Sequence, residues 1–84
     1  MKLVATSRFD RELGRIVKKR MALAKRIEKT LSLFSSNPGH PSLRLHKISH
    51  DVYSLSIDMD VRILVYWKDD QVFLLRIGTH EDVY

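Results

Sequence analysis

The stretch Val61-Arg62-Ile63-Leu64-Val65-Tyr66-Trp67-Lys68-Asp69-Asp70-Gln71-Val72-Phe73-Leu74-Leu75-Arg76-Ile77 decides the fold. Two runs rich in β-branched and aromatic residues flank a polar segment, Lys68-Asp69-Asp70-Gln71, which predicts a β-hairpin with a polar loop. Apart from Arg62 and Arg76, both runs are apolar at odd and even positions alike. Such strands lie in the middle of a sheet with helices over one face. Working back, Tyr53, Leu55 and Ile57 alternate with Ser54, Ser56 and Asp58, and Met59-Asp60 supplies a tight turn. Leu43 and Leu45 alternate with Arg44 and His46, so the strand pattern reaches back to Ser42 and places Arg44 and His46 on one face.

Before Ser42 the period is helical. Leu23, Ala24, Ile27, Leu31 and Phe34 share one side, and Ser35-Ser36-Asn37-Pro38-Gly39 stops that helix. Phe9, Leu13, Ile16 and Val17 line a face of an earlier helix, with Ser7 as N-cap and Asp10 in capping-box position. Lys2 to Ala5 is a short β-compatible opening. The pattern is α+β: an N-terminal strand, two helices, then a four-stranded, mostly antiparallel meander, in one domain spanning 1–84.

The chain has 84 residues, no cysteine and a formal net charge of +5. Disulfides, thiolate zinc sites and cysteine nucleophiles are thereby excluded. The four histidines, His40, His46, His50 and His80, fit no zinc spacing, and neither a metal nor another cofactor is expected. Apolar runs are too short to span a membrane, and Lys2 and Arg8 bring charge before a signal-peptide core can form. A soluble cytoplasmic protein is the expectation.

The charge is concentrated. Residues 8–29 hold nine Lys/Arg against three acids, whereas residues 30–84 hold five against seven. A basic helical block, with Arg15, Lys18 and Lys19 among its members, suits nucleic acid or another polyanion, or is simply a solvated face. Arg62 and Arg76 each interrupt an apolar strand, and an arginine there requires a carboxylate, a phosphate or water. For Arg62 two arrangements stand open: an ion pair with Asp58 or Asp60, or an open sheet face on which it clamps a phosphate. Histidines near a strand end, His80 above all, are natural proton carriers near neutral pH, and a terminal Tyr84 offers a ring for base stacking.

The order of elements and three words, Asn37-Pro38-Gly39-His40-Pro41-Ser42-Leu43-Arg44-Leu45-His46-Lys47-Ile48, Val61-Arg62-Ile63-Leu64-Val65-Tyr66 and Ile77-Gly78-Thr79-His80-Glu81-Asp82-Val83-Tyr84, resemble the RelE/ParE superfamily of type II toxin–antitoxin toxins. The closing Gly-Thr-His…Tyr word brings the chain nearer the histidine-using YafQ-like branch. The resemblance implies a ribosome-dependent endoribonuclease that cuts mRNA in the decoding site by attack of the ribose 2′-hydroxyl. It further implies a cognate antitoxin partner, contact with ribosomal RNA, and a free monomer that becomes heteromeric with the antitoxin.

Residue by residue, the resemblance makes His80 the general acid or base, Arg62 the phosphate-stabilising strand arginine and Tyr84 the substrate-stacking aromatic. His46 matches a histidine on the first strand after the helices, and Asp60 an acidic residue in the turn before the Arg62 strand. Arg44, Lys47 and Arg76 join Arg15, Lys18 and Lys19 as RNA contacts. Ser54 and Ser56 stand where RelE carries lysines, and Ile57 lies near a histidine of the YafQ-like branch, so His46 and His80 divide the acid and base roles. Two rival functions share the fold: a ParE-like inhibitor of DNA gyrase, and an inactive module that binds RNA or antitoxin.

Overall fold

The computed structural model describes residues 1–83. The elements run β1 (Lys2–Ala5), α1 (Ser7–Lys19), α2 (Leu23–Ser36), a 3-10 turn (Pro41–Leu43), β2 (His46–Ser49), β3 (Val52–Ser56), β4 (Val61–Lys68), β5 (Gln71–Thr79) and α3 (His80–Val83). The α+β reading holds, with a five-stranded sheet in the order β1-β5-β4-β3-β2. β1 joins β5 in parallel, and every other neighbour is antiparallel.

The two apolar runs form the sheet centre. Val61, Ile63 and Val65 of β4 lie with Val72, Leu74 and Ile77 of β5 and Leu55 of β3 in a core at most 4% exposed. α1 contributes Phe9 to it, and α2 contributes Leu23, Ile27 and Phe34. Trp67 meets the Phe34 ring edge-on at 5.4 Å and the Tyr53 ring at 5.5 Å, closing the core's far end with directional aromatic contacts.

Four sequence expectations are corrected. The N-cap of α1 is Thr6, not Ser7: its Oγ1 accepts the Phe9 N–H at 3.2 Å and donates to the Leu74 carbonyl at 2.7 Å. That second bond ties the cap to β5 and settles the one-residue difference. The segment from Ser42 is not a strand. Pro41–Leu43 is a 3-10 turn and Arg44 has φ 47°, so β2 begins at His46 and the shared face of Arg44 and His46 does not exist. The β4–β5 connection is only the Asp69-Asp70 turn, with Lys68 and Gln71 paired and Asp69 at φ 55°. Finally, β5 runs on to Thr79 and is followed by α3, a helix the periodicity did not reveal. Its sequence signal was the box Thr79-His80-Glu81-Asp82, in which Thr79 Oγ1 accepts from the Asp82 N–H and the Asp82 carboxylate accepts from the Thr79 N–H.

Candidate nucleic-acid interface

The sheet face opposite the core carries three of the candidate residues, Arg62, His46 and Arg76. Register puts Ser56, Arg62 and Gly78 in one row, and His46, Ser54, Leu64 and Arg76 in another two residues along. Arg62 therefore stands on β4, between the strand that leads to His80 and the strands that lead to His46. From strand spacing, the Arg62 and His46 backbones are about 12 Å apart, two strands across and two residues along. α3 folds over this face. Val83 is buried and, with His46, Lys47, Ile48, Val52 and Leu64, lines a cavity of about 420 Å³.

Gly78 allows that return. A Cβ there would lie 2.9 Å from the Cβ of Asp82, closer than side-chain packing permits. The Asp82 carboxyl is held below the usual carboxylate range by the Thr79 side chain and then by the Thr79 N–H. Thr79 pairs with Val61, so His80 and Asp60 extend two neighbouring strands at the same end of the sheet. Asp60 is exposed, and its N–H donates to Asp58 Oδ1 at 2.9 Å. Tyr84 lies outside the described residues.

Arg62 is half-buried, and its Nε has no hydrogen-bond partner among the described residues. The ion pair with Asp58 is not formed. Asp58 instead takes the Arg20 guanidinium at 3.0 Å and accepts the N–H groups of Asp60 and Val61. Burial pushes the Asp58 carboxyl up, but those N–H groups and Arg20 outweigh it and hold the carboxyl low. Arg62 opens instead into a cavity of about 380 Å³ that Arg26, Arg44, Ser42 and Ser56 also line. Arg26 is fixed there by a 2.6 Å bond from its Nε to the Ile57 carbonyl. The structure thus gathers Arg44 and Arg62 at one pocket, as cations of different elements rather than of one strand face.

Of the three partners open to Arg76, a carboxylate, a phosphate or water, the structure supplies the carboxylate. Its Nε and Nη2 both donate to Glu12 Oε2, at 3.3 and 2.8 Å, while Glu12 Oε1 accepts the Ile77 N–H at 3.2 Å. β1 pairs with β5 only from Gln71 to Leu74, so Glu12 on α1 supplies a partner for the strand edge beyond. Burial raises the Glu12 carboxyl, but Arg76, the Ile77 N–H and Arg8 together draw it below its ordinary value. Arg76 shares a cavity of about 280 Å³ with Arg15 and Lys19, so three of the expected RNA contacts meet there. Lys18 lies exposed in the last turn of α1 and does not line it, and Lys47 is exposed on β2.

Two features were not visible as site elements in the sequence. Glu12 looked like one acid in a basic helix. Ser54, a polar position alternating with Tyr53 and Leu55, is fully buried with its hydroxyl unpartnered among the described residues, which the alternation does not show. Among those residues no group of three or more His, Asp or Glu is placed to hold a metal ion, and no helix is long and apolar enough to cross a membrane.

No protein-family model and no curated protein sequence matches the chain. Solved structures do. YafQ from E. coli strain BL21(DE3) superposes with TM-score 0.83 at 14% identity, over 99% of this chain and 97% of that one. A metal-bound toxin from Helicobacter pylori gives TM-score 0.84 at 21% identity over 100% and 99%. The YoeB/ParE toxin from Agrobacterium tumefaciens gives 0.76 at 14% over 95% and 99%. With its β1-α1-α2 opening, its β2–β5 meander and the short α3 laid across the sheet, the chain has the fold of the RelE/ParE-type toxins.

Proposed function

We propose that the chain is the toxin of a type II toxin–antitoxin pair and acts as a ribosome-dependent endoribonuclease. The observation that carries this reading is the half-buried Arg62, unpartnered at Nε and opening into a pocket with two further arginines. The Nε itself is shielded from solvent, so a phosphate in the pocket meets the outer amino groups of the guanidinium, whose fork geometry fits two phosphate oxygens. The fold shared with toxins, one chain of the E. coli DinJ-YafQ toxin-antitoxin complex among them, supports the biological role and the antitoxin partner.

In this reading RNA supplies its own nucleophile. One imidazole takes the proton of the ribose 2′-hydroxyl as it attacks the adjacent phosphorus. The P–O5′ bond breaks, a second imidazole protonates the departing oxygen, and a 2′,3′-cyclic phosphate remains. Arg62 stabilises the charge that builds on the non-bridging oxygens. His80 and His46 approach from strands on opposite sides of Arg62 and serve as the two proton carriers. Asp60, beside His80 at the sheet end, orients it, and Tyr84 stacks on a substrate base. The α1 cations Arg15, Lys18 and Lys19, with Arg44 and Lys47, bind ribosomal and messenger RNA phosphates, while Arg76, already held by Glu12, borders the cavity of Arg15 and Lys19 as a structural cation.

Primer extension on mRNA with purified ribosomes tests the reading. Cleavage in codon register is expected from the wild type, with a loss of about 100-fold or more for His80→Ala and Arg62→Ala. Growth arrest that persists in both variants without cleavage would sink it in favour of a binding toxin.

A further inference from the structure

The surface of α2 forms a groove against the β3–β4 turn that adjoins the Arg62 cavity, the two meeting at Arg26, Ile57 and Asp58. One depression of about 660 Å³ is lined by Arg20, Lys25, Arg26 and Lys29. Its floor is aliphatic: Leu23, Leu43 and Ile57 are buried, and Leu33 is half-buried. A second depression of about 610 Å³ shares Lys25, Lys29 and Leu33 and extends to Ser36, so the groove follows α2 for most of its 14 residues. That is a length of roughly 20 Å. Asp58 is the one acid among the residues lining the first depression, and it is already taken by Arg20 and two N–H groups. Among the described residues Lys25, Arg26 and Lys29 form no ion pair, and Glu28 stands at the rim of the second depression. Met21 and Met59, exposed to 79% and 93%, follow Arg20 and Asp58 in the chain, and Met59 lines the adjoining Arg62 cavity.

Two anionic occupants compete, nucleic acid and protein. No aromatic ring lines either depression, so a base entering the groove finds no stacking platform. An aliphatic floor and flanking methionines suit aliphatic side chains instead. Lys25 and Lys29 are one helical turn apart, about 6 Å, which matches acids at i and i+4 of a helix or i and i+2 of a strand. We infer that this groove seats an acidic segment of a partner protein. Its carboxylates meet Lys25, Arg26 and Lys29, and its aliphatic side chains rest on Leu33, Leu43 and Ile57. The inference deepens the toxin–antitoxin reading, on which it rests for the existence of a partner. It is independent of the nuclease chemistry.

The test uses the full chain and three labelled probes read by fluorescence anisotropy. They are a 14-residue peptide with glutamates and leucines at helical spacing, its Glu→Gln analogue, and a 14-nucleotide single-stranded RNA 2′-O-methylated against cleavage. The acidic peptide should bind, and the Gln analogue should bind far more weakly. Affinity for the acidic peptide should fall about tenfold or more in Lys25→Glu/Lys29→Glu, while the RNA loses less than the peptide. Lys25→Gln/Lys29→Gln gives the same direction with a smaller charge change, and melting curves check both folds. Failure of the acidic peptide to bind the wild type overturns the inference, as does unchanged peptide affinity in both double variants. A larger loss for RNA than for peptide overturns it too and assigns the groove to nucleic acid. Ribosomal cleavage is read separately, so each reading can fail alone.

Discussion

Arg44 shows how much one backbone angle can hide. In sequence it alternates cleanly with Leu43 and Leu45 and looks like a strand residue; in the fold it is left-handed at φ 47°. The Pro41 carbonyl accepts the Arg44 N–H and closes the 3-10 turn, and no side-chain period encodes that. A non-glycine residue in this region costs of order 1 kcal/mol. Arg44→Gly should therefore hold or raise the melting temperature by a few degrees while removing a cation from the Arg62 pocket; a fall of several degrees would refute the strain argument. Gly78 is the opposite case. Gly78→Ala places a methyl against Asp82 Cβ, so either α3 or β5 must shift. A destabilisation of about 1–3 kcal/mol in denaturant unfolding is expected, with loss of cleavage through displaced His80.

At the scale of elements, strands β4 and β5 and helices α1 and α2 were legible because their apolar patterns are long and unambiguous, and the first strand only as a short β-compatible opening. What was not legible depends on partners far along the chain. The α1 cap sits on Thr6 because Leu74, 68 residues away, offers a carbonyl. Arg76 is neutralised because α1 crosses the bare edge of β5 and brings Glu12 there. Glu12→Ala leaves a half-buried guanidinium and the Ile77 N–H without their acceptor, and should cost roughly 1–3 kcal/mol. Hydrogen exchange should then accelerate at Ile77 and its neighbours, and unaltered protection at Ile77 would show that the strand edge does not depend on Glu12. The α3 helix holds only four residues, too few for a period, and its capping box was the one local clue.

Across the whole molecule, acid should act through Glu12, Asp58 and Asp82. Each carboxyl sits below its ordinary value in the folded state, so its stabilisation is present above the ordinary carboxylate range and is lost as pH falls through the lowered native values. Melting temperature measured from pH 6 downward should be flat to about pH 5 and then decline. Arg20→Gln should soften that decline by removing one partner of Asp58, and an unchanged profile would place the loss elsewhere. The candidate site was readable only as a set of residue types. Its layout, with Arg62 between the strands leading to His46 and His80, comes from strand order, which no local pattern carries.

The parallel pairing of Lys2–Ala5 with Gln71–Leu74 has a consequence in time. Synthesis at ~5–20 residues per second puts several seconds between the emergence of β1 and that of its partner. Until then the first strand has nowhere to pair, the Thr6 cap has no Leu74 carbonyl, and Glu12 has no Arg76. The sheet face and its arginines are therefore assembled only once β5 has been made, with β1, α1 and α2 waiting for it.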